Sequence, residues 1–64
     1  MSNIISSFFS DDRKLSANVS TLRGKFYVDF YNQTTLVGSK EVIGHNIYYA
    51  ESMAENYTLG ILKL

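Results

Sequence analysis

The chain has 64 residues, and its six basic and six acidic side chains give a net charge of zero. This length allows one domain at most. Cysteine is absent and histidine occurs once, which excludes disulfides, thiolate metal sites and histidine clusters for a transition metal. Without a basic surplus, the composition gives no support for binding to phosphate backbones or anionic lipid. We expect no cofactor and no metal.

The apolar segments are too short for a membrane protein. None approaches the roughly 20 residues that cross a bilayer. The N-terminal stretch MSNIISSFFSDDRK has no basic segment, and serines interrupt its apolar run, which is not typical of a secretory signal. We therefore expect a cytoplasmic protein that has no contact with the membrane.

Alternation of apolar and polar residues predicts strands in KLSANVSTL and KFYVDFY. In the second segment the face without charge must be the core face, because a buried unpaired charge is costly. Tyr27 and Tyr31 lie on the opposite face together with Lys25 and Asp29. The predicted core face consists of Phe26, Val28 and Phe30.

The segments around these strands predict turns and a third strand. RG at 23–24 and the polar NQTT at 32–35 are typical of tight turns. LVGSKEVI follows as the third strand, in which Gly38 marks a bulge or a close contact. Residues 1–10 are either a loose arm or an additional strand formed by residues 3–9.

After residue 46 the period of the apolar residues changes to that of a helix. Asn46 is a good N-cap, because its side-chain oxygen can accept a hydrogen bond from a free backbone N–H. Gly60 falls inside the predicted helix and costs about 1 kcal/mol relative to alanine. The apolar stripe, with spacings of three and four, is Ile47, Ala50, Met53, Ala54, Tyr57, Ile61 and Leu64.

These elements predict one α+β domain over residues 1–64. Its sheet is a three-stranded antiparallel meander, or a four-stranded one if residues 3–9 pair. One C-terminal helix packs on one face of the sheet.

Two apolar surfaces remain outside this predicted core. Tyr27 and Tyr31 form the first, and tyrosine suits a contact surface because its ring is apolar and its hydroxyl can stay hydrated. Tyr48, Leu59 and Leu62 line a flank of the helix outside the main stripe. Since a domain of this size has a small core, we expect a homodimer or a higher oligomer that uses these residues as partner-binding sites.

A nucleic-acid alternative arises from RGKFYVDF, which resembles the aromatic strand signature of the RNA-recognition motif. Lys25 replaces the first stacking aromatic residue and Phe26 replaces a small one, and the order of elements differs from that family. A weak single-stranded nucleic-acid binder would use Lys25, Tyr27 and Tyr31. The matching positions are Arg23, Gly24, Tyr27, Val28 and Phe30.

Catalytic signals are weak. Glu51 and Glu55 share a helix face, and His45 lies in the turn before the helix. Paired carboxylates and a single histidine can act in acid–base catalysis, but no nucleophile motif accompanies them. The carboxylates are more typical of a solvated rim and His45 of a turn, so we predict that the protein is not an enzyme.

The pattern of residues 14–62 resembles small proteins of tailed phages that infect marine cyanobacteria. The strand YVDFY, the helix pieces YAE at 49–51 and AEN at 54–56, and the ending LGIL carry the resemblance. It implies expression in the cytoplasm of an infected host and no known activity. It favours a protein that binds and modulates a host protein, with a structural or virion-associated oligomer as the alternative.

Overall fold

The computed structural model describes residues 3–63 and consists of four strands followed by one helix. The strands form one antiparallel sheet in the order β1-β2-β3-β4, so each strand pairs with the next one in the chain. The helix packs against β1, β2 and β3 on one side of the sheet. This confirms the α+β meander and shows that the fourth, N-terminal strand is present. The elements are β1 (Asn3–Phe9), β2 (Leu15–Leu22), β3 (Lys25–Asn32), β4 (Thr35–Val42) and α1 (Ile47–Thr58).

The core lies between α1 and the sheet. Phe30 is fully buried and meets the ring of Tyr57 edge to face, with 4.9 Å between the ring centroids. The Tyr57 hydroxyl donates a hydrogen bond to the backbone oxygen of Tyr31 at 3.1 Å, so the polar atom of this buried side chain has a partner. Ala50 and Ala54 are fully buried and let the helix approach the sheet closely. The other buried apolar residues are Ala17, Val19, Val28 and Val42, with Phe26 packed beside them.

The two tight turns differ in how well their residues suit the backbone. Arg23 and Gly24 have φ of 53° and 76°, and Gln33 and Thr34 have φ of 51° and 75°. Two positive φ values are what two-residue hairpin turns require, and Asn-Gly is the preferred pair. Glycine supplies this conformation at 24, whereas a β-branched threonine at 34 is strained in it.

Replacing Thr34 by glycine is therefore expected to raise the free energy of unfolding by about 1 kcal/mol. Urea denaturation compared with the unchanged protein measures this effect. Thr35→Gly is the matched control, because Thr35 begins β4 and glycine weakens a strand. A lower stability of Thr34→Gly would contradict the assignment of strain to this turn.

Both edge strands carry an irregularity that the central strands lack. The register of β1 shifts between Ile4 and Ser6, and the register of β4 shifts opposite Phe30 and Tyr31, between Leu36 and Gly38. The predicted bulge next to Gly38 is thereby confirmed. The pairing of β2 with β3 runs without interruption.

The helix begins as predicted and ends earlier. The Asn46 side chain accepts a hydrogen bond from the Tyr49 backbone N–H at 3.2 Å, which confirms the N-cap. Gly60, with φ of 81°, lies beyond the end of the helix. Its N–H donates to the Tyr57 oxygen at 3.1 Å, and the next N–H donates to the Asn56 oxygen at 2.9 Å. These two bonds are those of a Schellman motif, so the placement of Gly60 inside the helix is wrong.

This ending changes which side chains after the helix reach the core. Ile61 is 69% exposed, although the helical stripe predicted it to be buried. Leu62 packs against the core instead. Leu64, the last member of the predicted stripe, lies outside the described residues.

Within residues 3–63, no helix is long and apolar enough to cross a membrane.

Candidate functional site: the open face of the sheet

The side of the sheet opposite α1 forms the open face. The antiparallel register places its side chains in three rows, each of which crosses all four strands. The first row is Phe9, Ser16, Tyr31 and Leu36; the central row is Ser7, Asn18, Asp29 and Ser39; the third row is Ile4, Ser20, Tyr27 and Glu41.

The first row forms a hollow. Phe9 and Leu36, which are 57% and 55% exposed, stand at the two ends of this row on the edge strands. Phe9 and the half-buried Tyr31 flank Ser16, and the hollow above Ser16 has a volume of about 350 Å³. The Arg13 guanidinium lies 5.6 Å from the centroid of the Phe9 ring. The hollow thus combines aromatic walls and a small, polar floor with the cationic side chains of Arg13 and Lys14.

The central row is polar and internally hydrogen-bonded. Ser7 Oγ donates to Asn18 Oδ1 at 2.9 Å, and Ser39 Oγ donates to Asp29 Oδ1 at 2.7 Å. Asn18 and Asp29 are direct cross-strand neighbours. The carboxylate and the amide therefore stand side by side at the middle of the open face.

The polar side chains of the third row bind to one another and to Lys25. The Tyr27 hydroxyl donates to Glu41 Oε1 at 3.2 Å, and Lys25 Nζ lies 3.6 Å from the same oxygen. Ser20 is buried, and Lys25 and Glu41 also line a separate hollow of about 260 Å³ at this end of the sheet. With Asp29 between the two tyrosines and Glu41 against Lys25, the residues of the nucleic-acid alternative face carboxylates, which repel a phosphate backbone.

The predicted helix flank is only partly assembled. Tyr48 and Leu59 are 72% and 64% exposed, as a contact surface requires. Leu62 lies beyond the Schellman turn, so it does not continue the helical spacing; it is half-buried and packs against the core, and its part in a contact surface stays a prediction. Leu62 also lines a hollow of about 190 Å³ beside Tyr49.

His45 and Glu51 are each engaged in a local contact. The His45 ring stacks on Tyr49 with 3.9 Å between centroids, and Glu51 accepts a hydrogen bond from Ser6 Oγ at 2.6 Å. No group of three or more histidine, cysteine, aspartate or glutamate side chains within residues 3–63 could hold a metal ion.

Asp12 has a structural role in the β1–β2 loop. Hydrogen bonds from the Lys14 backbone N–H at 3.0 Å and from Ser10 Oγ at 2.7 Å lower the pKa of the Asp12 carboxyl. Because the folded-state pKa is lowered, the contribution of this carboxylate to loop stability is present above its unfolded pKa. It is lost as the pH falls through the lowered value.

Several members of the open face were not among the predicted site residues. Phe9, Leu36 and Ile4 join Tyr27 and Tyr31 only through the strand register, which a single sequence does not specify.

Comparison with known proteins found no relative. No protein-family model, no curated protein and no solved structure matches this chain.

Proposed function

We propose that this protein is a non-enzymatic protein-binding module whose contact surface is the open face. The observation that carries the proposal is that α1 packs on one side of the sheet while large apolar groups stand exposed on the other. These are Ile4, Phe9 and Leu36, with the half-buried Tyr27 and Tyr31 between them.

The composition of this face suits a protein partner. The exposed apolar groups and the two tyrosines agree with this, because protein interfaces are enriched in aromatic residues, tyrosine among them. Only Asp29 and Glu41 in the three rows are charged, and both accept hydrogen bonds from neighbouring side chains. The resemblance to small phage proteins favours a host protein in the infected cytoplasm as the target of such a module.

A structural oligomer is the second candidate, and the form of the open face favours it. The face spans all four strands and presents both large and small side chains, as a surface that packs on another sheet does. In this role the protein would assemble with further copies and would not capture a different protein.

The experiment that tests the proposed function compares two variants in protein capture from a lysate of a marine cyanobacterium. Tyr27→Ser combined with Tyr31→Ser is expected to abolish capture, because it removes both tyrosine contacts of the open face. Tyr48→Ser is the matched control, since Tyr48 is exposed on α1. Circular dichroism verifies that both variants are folded.

The outcomes lead to different conclusions. Capture that depends on the two open-face tyrosines and not on Tyr48 supports the assigned surface. Capture that survives the double substitution shows that the open face is not the contact surface. Loss of capture in the control alone assigns the contact to the outer side of α1.

A further inference from the structure

We infer that the occupant of the open face is a second copy of this chain, related by a two-fold axis that runs parallel to β2 and β3 and passes between them. This inference rests on the proposed function in one respect, the open face as the contact surface, and it develops the second candidate, the oligomer, by giving its geometry. It follows from a match between two neighbouring strands. On the open face β2 presents Ser16, Asn18 and Ser20. Their cross-strand partners on β3 are Tyr31, Asp29 and Tyr27, in that order.

The axis places each strand's side chains against complementary ones. Rotation about it lays β2 against the partner's β3 within every row, and the match is found in the first and central rows. Ser16 then faces the partner's Tyr31, and Asn18 faces the partner's Asp29. The hollow of about 350 Å³ above Ser16 is large enough for an aromatic ring, since pockets for whole small ligands begin near 300 Å³.

Hydrogen bonding agrees with the same axis. The Asn18 amide carries two N–H donors, and the Asp29 carboxylate accepts hydrogen bonds. Each dimer would therefore contain two reciprocal amide–carboxylate contacts at its centre. Each Asp29 keeps its hydrogen bond from Ser39, so the carboxylate is not left without partners when the two faces meet.

The other in-plane axis does not suit this face. A two-fold axis perpendicular to the strands would place Asp29 directly against the partner's Asp29, and two like charges in a water-poor interface repel each other. The two exposed end residues of the first row also fit the parallel axis, because Phe9 then faces the partner's Leu36.

The irregular edge strands and the area of the open face favour this face as the site of dimer assembly. Both edge strands carry a bulge, and bulges disfavour the edge-to-edge pairing of sheets. Strands of 7 or 8 residues at about 3.3 Å per residue, four strands wide at about 4.8 Å, give a face of about 500 Å². Two such faces together reach about 1,000 Å², near the lower limit for a specific interface.

Cross-linking of two single-cysteine variants tests the axis directly. The chain has no cysteine, so Ser7→Cys and Ser39→Cys each introduce a unique thiol at an edge of the central row. With the parallel axis Ser7 faces the partner's Ser39, across the roughly 10 Å between packed sheets. The two copies of Ser7 would instead lie about 17 Å apart, since they are also offset by three strand spacings.

A bismaleimide that spans about 10 Å between packed sheets is therefore expected to cross-link a mixture of the two variants and to leave each variant alone uncrosslinked. Sedimentation from about 5 to about 500 µM, a range suited to a small interface, is expected to show a dimer. In the same experiment Tyr31→Ser is expected to weaken the dimer at least tenfold, because it empties the hollow above Ser16.

Three results would overturn the inference. Cross-linking within either variant alone would assign the perpendicular axis. A wild-type protein that stays monomeric at the highest concentration would exclude the dimer. A dimer that Tyr31→Ser leaves unchanged would place the interface elsewhere. If the protein is monomeric but lysate capture still depends on Tyr27 and Tyr31, the dimer fails and the proposed function stands; without that dependence, both fail.

Discussion

Phe30→Ala is expected to lower the free energy of unfolding by about 3–5 kcal/mol, the cost of emptying a large buried aromatic site. Phe30 is the largest fully buried side chain, and its ring contacts the ring of Tyr57. A domain of this length has a total stability of only about 3–10 kcal/mol. Much of the variant should therefore be unfolded at 25 °C.

The unfolded fraction is measured by circular dichroism and urea denaturation at low protein concentration. Phe9→Ala is the matched control, because it makes the same chemical change at a residue that is 57% exposed. It should cost less than about 1 kcal/mol, as substitutions of exposed residues usually do. Equal losses for the two variants would mean that the core does not lie between α1 and the sheet.

Ala54→Leu is expected to destabilise the protein by about 1–3 kcal/mol, the usual cost of forcing extra methyl groups into a packed core. Ala54 is fully buried between α1 and the sheet. Leucine and alanine are both good helix formers, so the loss would report on packing and not on the helix itself. The larger side chain can fit only if the helix moves away from β2 and β3.

Glu55→Leu provides the comparison for Ala54→Leu. Glu55 is the next residue of α1 and is exposed, so leucine there meets solvent and should change stability by about 0.5 kcal/mol or less. Both variants are measured by urea denaturation with the same slope analysis. A variant at 54 that is as stable as the variant at 55 would contradict the assigned helix face.

The central strands could be predicted from the sequence because their alternation is regular. Ala17 and Val19 in β2, and Val28 and Phe30 in β3, are all fully buried, as a period of two requires. Alternation could not decide the N-terminal strand for two physical reasons. The adjacent pairs in SSFF place serine and phenylalanine on both faces of β1, and the bulge between Ile4 and Ser6 shifts the phase of the residues before them.

The end of the helix could not be read from spacing alone. The sequence does not show whether a glycine lies inside a helix or just beyond its end. The positive φ of Gly60 in the structure places it beyond the end. The turn at Gly60 ends the helical period, so Leu62 packs on the core and Ile61 is exposed. A prediction that continues the helical stripe assigns these two residues in the opposite way.

The candidate site was predictable only in part. Tyr27 and Tyr31 share a face because they lie four residues apart on one strand, which the sequence specifies. Their neighbours in the rows, such as Phe9 and Leu36, depend on the register of three strand pairs and on two bulges. The complementarity between β2 and β3 likewise becomes visible only when Ser16 is known to lie opposite Tyr31.

The position of α1 after all four strands has a consequence for biosynthesis. The hairpins are local in sequence and can pair as soon as each strand leaves the ribosome, because short loops close within microseconds. The side of the sheet that carries Val19, Val28 and Phe30 then stays uncovered until residues 47–58 are made. During that interval the nascent sheet exposes apolar groups on both sides, which is a hazard for aggregation. A chain truncated before Ile47 would keep apolar groups exposed on both sides of its sheet, and it is expected to aggregate where the whole protein does not.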